Sequence, residues 1–121
     1  MTGPPEEKEV NHGIRTIIYP TRDLAKAKAL LTALAGAPAQ DAPYYVGFEL
    51  EGQQIGLDPN GHAQGMTGPI AYWHVDDIEA SLAALVGAGA EPQRPTRDVG
   101  GGRLIATVTD RDGNVIGLLQ P

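Results

Sequence analysis

Cysteine is absent from this 121-residue chain, which excludes disulfides and thiolate metal sites and removes any argument for an oxidising compartment. Aromatic residues are scarce at 5%, with one Trp and one Phe, so each ring has to be assigned with care to core or to ligand. No window comes near the roughly 18 apolar residues that a membrane-spanning helix needs. Positive charge is also short. Nine Lys and Arg, scattered along the chain, stand against fifteen Asp and Glu, and the net charge of −6 repels phosphate backbones, so neither nucleic acid nor membrane is an expected partner. The opening residues Met1-Thr2-Gly3-Pro4-Pro5-Glu6-Glu7-Lys8-Glu9 have neither the basic stretch nor the apolar core of a signal peptide, which makes a cytoplasmic location the expectation.

What is present is an internal repeat. Ile17-Ile18-Tyr19-Pro20-Thr21-Arg22-Asp23-Leu24 reads like Ala71-Tyr72-Trp73-His74-Val75-Asp76-Asp77-Ile78, a short apolar run followed by acid and the start of an amphipathic helix. The halves also close alike, on Gly52-Gln53-Gln54-Ile55-Gly56-Leu57 and Gly113-Asn114-Val115-Ile116-Gly117-Leu118. The openings align at a shift of 54 residues (Asp23 to Asp77) and the closings at a shift of 61 (Gly56 to Gly117), so the second copy has the longer middle. A repeat of this kind fixes the architecture before any residue is assigned a role.

Each copy reads as strand, helix, then two or three strands. Residues 14–19 and 70–75 are the first strands. Thr21 is the expected cap of a helix whose apolar stripe is Leu24, Ala27, Leu31 and Leu34, ended by Gly36. Asp76 with Glu79 suggests a capping box for a second helix with stripe Ile78, Leu82, Leu85 and Val86, ended by Gly89. After each helix comes a proline-containing stretch and a hairpin: residues 44–50 with 53–57 across Glu51-Gly52, and 104–109 with 114–119 across Arg111-Asp112-Gly113. The expected organisation is a flexible tail over 1–11 and one domain over 12–121, with module 1 at about 12–58, a linker at about 58–68 and module 2 at about 69–120.

The paired strand-helix-strands repeat, Val75-Asp76-Asp77-Ile78 at the strand-to-helix junction and Asp110-Arg111-Asp112-Gly113-Asn114-Val115-Ile116 near the C-terminus together resemble the vicinal oxygen chelate superfamily, which includes glyoxalase I, the bleomycin resistance proteins and the extradiol dioxygenases. The resemblance covers residues 12–120. It implies an α+β fold of two βαβββ modules, with a curled mixed sheet forming a cup, helices outside and the ligand site within. It also implies a metal site, with a His seven residues before each junction Asp and a carboxylate late in each module's last strand. Carried onto this chain, those positions are Thr16, Ile70, Gly56 and Gly117. Only Thr16 bears a side-chain oxygen, and a neutral hydroxyl is a poor ligand for a divalent ion that the family holds with imidazole and carboxylate. No metal and no other cofactor is therefore expected.

Strand alternation and the repeat register assign a cup lining of Thr16, Ile18, Tyr44, Val46, Phe48, Gln54 and Gly56 from module 1, and Ile70, Tyr72, His74, Ile105, Thr107, Val115 and Gly117 from module 2. Such an apolar, ring-bearing surface with few hydrogen-bonding groups suits a flat, largely hydrophobic molecule, although the same side chains would also serve as packed core. His74 reads either as a pocket group or as a surface residue at a strand end, His12 and His62 read as solvated, and Trp73, on the opposite parity, is expected under its module's helix. The Asp110 loop lacks the glycine position and the Glu of a calcium loop and reads as a hairpin turn. Gly100-Gly101-Gly102-Arg103 lacks the ending of a phosphate cradle and reads as a loop.

Two functions remain. One is a metal-independent binding protein that sequesters a hydrophobic, planar antibiotic or natural product, with no catalytic residues, as the resemblance to the resistance members suggests. The other is a glyoxalase-like lyase or isomerase acting on a small metabolite, which would lack the Lewis acid that stabilises an enediolate in the metal-dependent members. A homodimer is the expected assembly, from the resemblance and from the open sheet edges of so small a chain.

Overall fold

The computed structural model describes residues 11–121. Of the expected tail over 1–11, residues 1–10 lie outside the described residues, and Asn11 already begins a strand. The order is β1 (Asn11–Pro20), α1 (Leu24–Ala35), β2 (Gln40–Ala42), β3 (Tyr45–Leu50), β4 (Gln53–Asp58), β5 (Ile70–Val75), α2 (Ile78–Gly87), β6 (Glu91–Asp98), β7 (Leu104–Thr109) and β8 (Val115–Gln120). This is an α+β fold with two βαβββ repeats and mixed strand pairing. Two compact units partition the chain, one of residues 15–71 and the other of residues 72–121 together with the start of β1.

In the first unit the strand order is β2-β3-β4-β1, with β1 parallel to β4 and the other pairs antiparallel. The β3–β4 hairpin turns in two residues: Leu50 pairs with Gln53, and Glu51 and Gly52 take φ of 52° and 81°, the type I′ geometry that matches strand twist. α1 is capped by Asp23, which accepts from the Lys26 amide at 3.1 Å, and not by Thr21. Thr21 is engaged one step earlier, its hydroxyl accepting from the Asp23 amide at 3.2 Å. Leu24, Ala27, Leu31 and Ala35 pack onto Val46, Phe48, Leu57 and Ile55 to form this unit's core. Leu34, expected in that stripe, is instead 84% exposed beside an exposed Leu30, because the helix turns Ala35 to the sheet in its place.

The second unit repeats the plan in the order β5-β8-β7-β6, again with the module's first strand parallel to its last. Asp77 caps α2, accepting from the Ala80 amide at 3.1 Å, so the expected Asp76 cap is displaced by one residue. Gln120 assists, its side-chain oxygen accepting from the Ile78 amide at 2.9 Å. Asp76 instead meets His12, which is thus paired and not merely solvated, at 3.0 Å. Val75, Ile78, Ala106 and Leu118 form the core with Leu82, Leu85 and Leu104, whereas Val86 stays exposed. Trp73 shares the parity of this core but remains 39% exposed, contrary to burial under the helix. β6, expected only as a proline-containing stretch, is a strand along β7; Pro92 and Pro95 cannot donate to a ladder, and the register breaks between Pro92, Arg94 and Arg97.

Both long loops are turns held by aspartates. Asp110 accepts from the amides of Asp112 and Asn114, each at 2.9 Å, and from the Asn114 side chain at 2.9 Å. Those bonds, the Asn114 side chain first, hold the Asp110 carboxyl below its ordinary range. In the glycine-rich turn, Asp98 accepts from the Gly100 amide at 2.6 Å and the Val99 amide donates to Arg103 at 2.9 Å.

Candidate functional site

Pairing within each unit shows which side chains share the sheet face away from the helix. In the first unit Thr16 lies opposite Gln54 and Ile18 opposite Gly56. Gly56 in turn lies opposite Gly47 on β3. Directly opposed residues point to the same face, so Thr16, Ile18, Gln54, Gly56 and Gly47 share it, and with them Tyr45, two residues before Gly47. The Thr16 hydroxyl, in a residue only 2% exposed, donates to Gln54 Oε1 at 3.3 Å.

Three of the residues expected on this face are elsewhere. Val46 lies opposite Leu57 and Phe48 opposite Ile55, both buried against α1. Tyr44 precedes β3 and is 67% exposed. The physical reason is the turn: two residues close the first hairpin and five, Asp110 to Asn114, close the second, so transferring the alternation of one to the other slips β3 by one residue and reverses its faces.

That slip hid the ring that matters. Tyr45 lies across the paired glycines 47 and 56. A Cβ on Gly56 would fall 2.5 Å from Tyr45 Cζ and 2.9 Å from Cε1, and nearer still to the hydroxyl; one on Gly47 would fall 3.3 Å from Cε2. Gly56 is the position where the family pattern calls for a carboxylate, and here the phenol covers it.

In the second unit Tyr72 lies opposite Gly117, and Gly117 opposite Thr107; Ile105 and His74 both lie opposite Leu119. Tyr72, His74, Ile105, Thr107, Val115, Gly117 and Leu119 therefore share one face. Ile70, two and four residues before Tyr72 and His74 on β5, has their parity and is buried. Tyr72, His74 and Thr107 are buried too, and the Thr107 hydroxyl donates to Gln93 Oε1 at 2.8 Å. The sequence does not mark Gln93, because the prolines of β6 hide the strand that presents it. The repeat is thus exact in register: Ile18 faces Gly56 as Tyr72 faces Gly117, the pairs related by the two shifts of 54 and 61.

A metal of the family type does not fit these residues. Thr16 is hydrogen-bonded to Gln54, Gly56 lies under Tyr45, Ile70 is apolar and Gly117 has no side chain. Among the described residues no three His, Asp or Glu side chains gather closely enough to hold an ion. No helix of the described residues is long and apolar enough to cross a membrane.

The model of the Glyoxalase/Bleomycin resistance protein/Dioxygenase superfamily matches residues 13–118, and the chain belongs to that superfamily. Among solved structures, methylmalonyl-CoA epimerase from Mycobacterium tuberculosis is similar at a TM-score of 0.72 and 16% identity, over 93% of this chain and 90% of that one. A glyoxalase/bleomycin resistance protein/dioxygenase superfamily member from Vibrio splendidus 12B01 is similar at 0.67 and 14%, over 93% and 100%. The Mn(II)-bound glyoxalase from Novosphingobium aromaticivorans is similar at 0.68 and 16%, over 93% of this chain but 40% of that longer one. At these identities the likeness concerns the fold. No curated protein matches the sequence.

Proposed function

We propose that this chain binds a flat, largely hydrophobic organic molecule on the sheet faces turned away from the helices, without a family-type metal, and that its role is sequestration of an antibiotic or natural product. The observation that carries this reading is Tyr45 lying on Gly56: an aromatic surface replaces a carboxylate where the superfamily pattern expects a ligand to an ion. In the other module Tyr72 sits beside Gly117, again a ring next to a vacant carboxylate position. Rings offer a flat ligand stacking worth about 0.5–1.5 kcal/mol each beyond area burial. Thr16, Gln54, His74 and Thr107 add the few polar groups that orient such a ligand. The chain acts as a cytoplasmic homodimer in this reading, with the exposed Leu30 and Leu34 of α1 supporting self-association.

One observation favours turnover instead. His74 is buried on the same face as Tyr72, and imidazole is the side chain best suited to proton transfer. A thermal-shift screen of divalent metals and of aromatic natural products separates the readings. Stabilisation by an aromatic compound and by no metal is expected; stabilisation by a metal, with no response to aromatics, would overturn the binding reading.

A further inference from the structure

The turn between β4 and β5 and the corner between β1 and α1 are tied together within the first unit. The Thr21 amide donates to Asp58 O at 3.1 Å, the Met66 amide to Gly61 O at 2.9 Å, and the Gly65 amide to His62 O at 3.1 Å. Gly61 is buried because Pro20 and Met66 close over it: a Cβ there would lie 2.7 Å from Pro20 Cβ and 2.8 Å from Met66 Sδ. Beside this knot is a hollow of about 540 Å³ lined by Arg22, His62, Ala63, Gly65, Met66 and Thr67. It is a wide depression open to solvent, with room for a small ionic group and part of the body that carries it.

The charge pattern of the hollow is unlike that of the chain. Fifteen acids give the protein a net charge of −6, yet among the described residues no Asp or Glu lines this surface. The two nearest carboxylates in sequence are committed elsewhere: Asp23 caps α1 through the Lys26 amide, and Asp58 accepts from the Asn60 amide at 2.8 Å. Arg22 has no hydrogen bond or ion pair among the described residues. His62, expected in the sequence to be solvated, has its Nδ1 buried with no partner among the described residues. Among the described residues, a guanidinium without a counter-ion and an imidazole with an orphaned nitrogen thus line one hollow that carries no acid.

We propose that this hollow is a binding site for a small molecule bearing an oxyanion group, carboxylate or phosphate. Arg22 presents the planar fork that grips such a group through two parallel hydrogen bonds. A turn of the His62 ring toward the bound anion gives its orphaned nitrogen a partner, and Thr67 supplies a hydroxyl at the same wall. Met66 and Ala63 leave apolar wall for the body of the molecule.

Titration of the isotope-labelled full chain with inorganic phosphate and, separately, with succinate, at constant ionic strength, tests this through the NMR signals of the His62 ring and the Arg22 side chain. Saturable shifts of both groups, with a midpoint below about 10 mM, are expected for at least one anion. Arg22→Gln should weaken that midpoint by roughly tenfold or more, and Arg22→Lys, which keeps the charge but not the fork, should fall between. Saturation by phosphate alone assigns the site to phosphorylated compounds, by succinate alone to carboxylates, and by both to the oxyanion group as such. Linear, non-saturating shifts with both anions would overturn the proposal. So would the same midpoint in wild type and Arg22→Gln, with thermal unfolding confirming that the variant is folded. His62→Gln provides a second reading with the Arg22 charge intact, and its expected result is a weaker but still saturable response at Arg22.

Discussion

Tyr45 and Gly56 are fitted to one another: the ring lies where any side chain at position 56 would have to begin. Gly56→Ala should therefore destabilise by overpacking, by about 1–3 kcal/mol. In a Tyr45→Ala background the same change should be neutral or stabilising, since the backbone there needs no left-handed conformation and alanine only restricts the unfolded chain. Urea denaturation of the four proteins in this cycle measures the coupling directly. Equal costs of Gly56→Ala in both backgrounds would show that the ring does not hold that place.

The same fit bears on metal. Purified protein should carry no stoichiometric Zn, Ni, Fe or Mn by elemental analysis. One metal per chain retained through dialysis would contradict the assignment of Thr16, Gly56, Ile70 and Gly117 as non-ligating positions.

Phe48 tests the corrected face of β3. Packed between the sheet and α1, it should cost about 3–5 kcal/mol when replaced by alanine while leaving ligand affinity unchanged in the protein that remains folded. Tyr72→Ala, also at a buried position, should lower stability too, but in the protein that remains folded it should weaken binding several-fold. Loss of binding in Phe48→Ala without loss of stability would place Phe48 at the ligand.

How much of this was legible in the sequence depended on which signals repeat and which do not. The paired phrases around Gly56 and Gly117 are enough to foresee two modules and to make Gly56 and Gly117 equivalent, while the pairing of Ile18 with Gly56 and of Tyr72 with Gly117 is visible only in the strand register. The β3 face was not legible by analogy, since its hairpin closes in two residues and its counterpart in five. The analogy therefore selects Tyr44 where the actual register presents Tyr45. The helix caps slipped because each junction offers adjacent candidates, Thr21 with Asp23 and Asp76 with Asp77, and only the backbone decides which carboxylate reaches the third amide. β6 was hidden by its prolines, which edge strands tolerate.

Asp110 gives the hairpin at the end of module 2 a pH signature. Its carboxyl is held below the ordinary range by bonds from Asn114 and from the loop amides, so its contribution is fully present above the carboxylate range of the unfolded chain and is lost as pH falls through the lower folded value. In Asn114→Ala the largest of those bonds is gone, so the acid-side loss of thermal stability should be shallower, with lower stability at neutral pH. Identical pH profiles for the two proteins would remove this role from the loop.

Assembly is tested by light scattering, which should give about twice the 12.7 kDa chain mass. Leu34→Glu should return the protein to a monomer if the exposed leucines of α1 meet a second copy. A wild-type monomer at high concentration would contradict the dimer.

The most direct test of metal-independent binding is calorimetric titration of the aromatic compound found in the thermal-shift screen, made on chelator-treated protein and on the same protein supplied with a divalent metal. Equal affinity in the two preparations, and a several-fold weaker one in Tyr72→Ala, is the expected result. Binding that vanishes with the chelator and returns with the metal would contradict it.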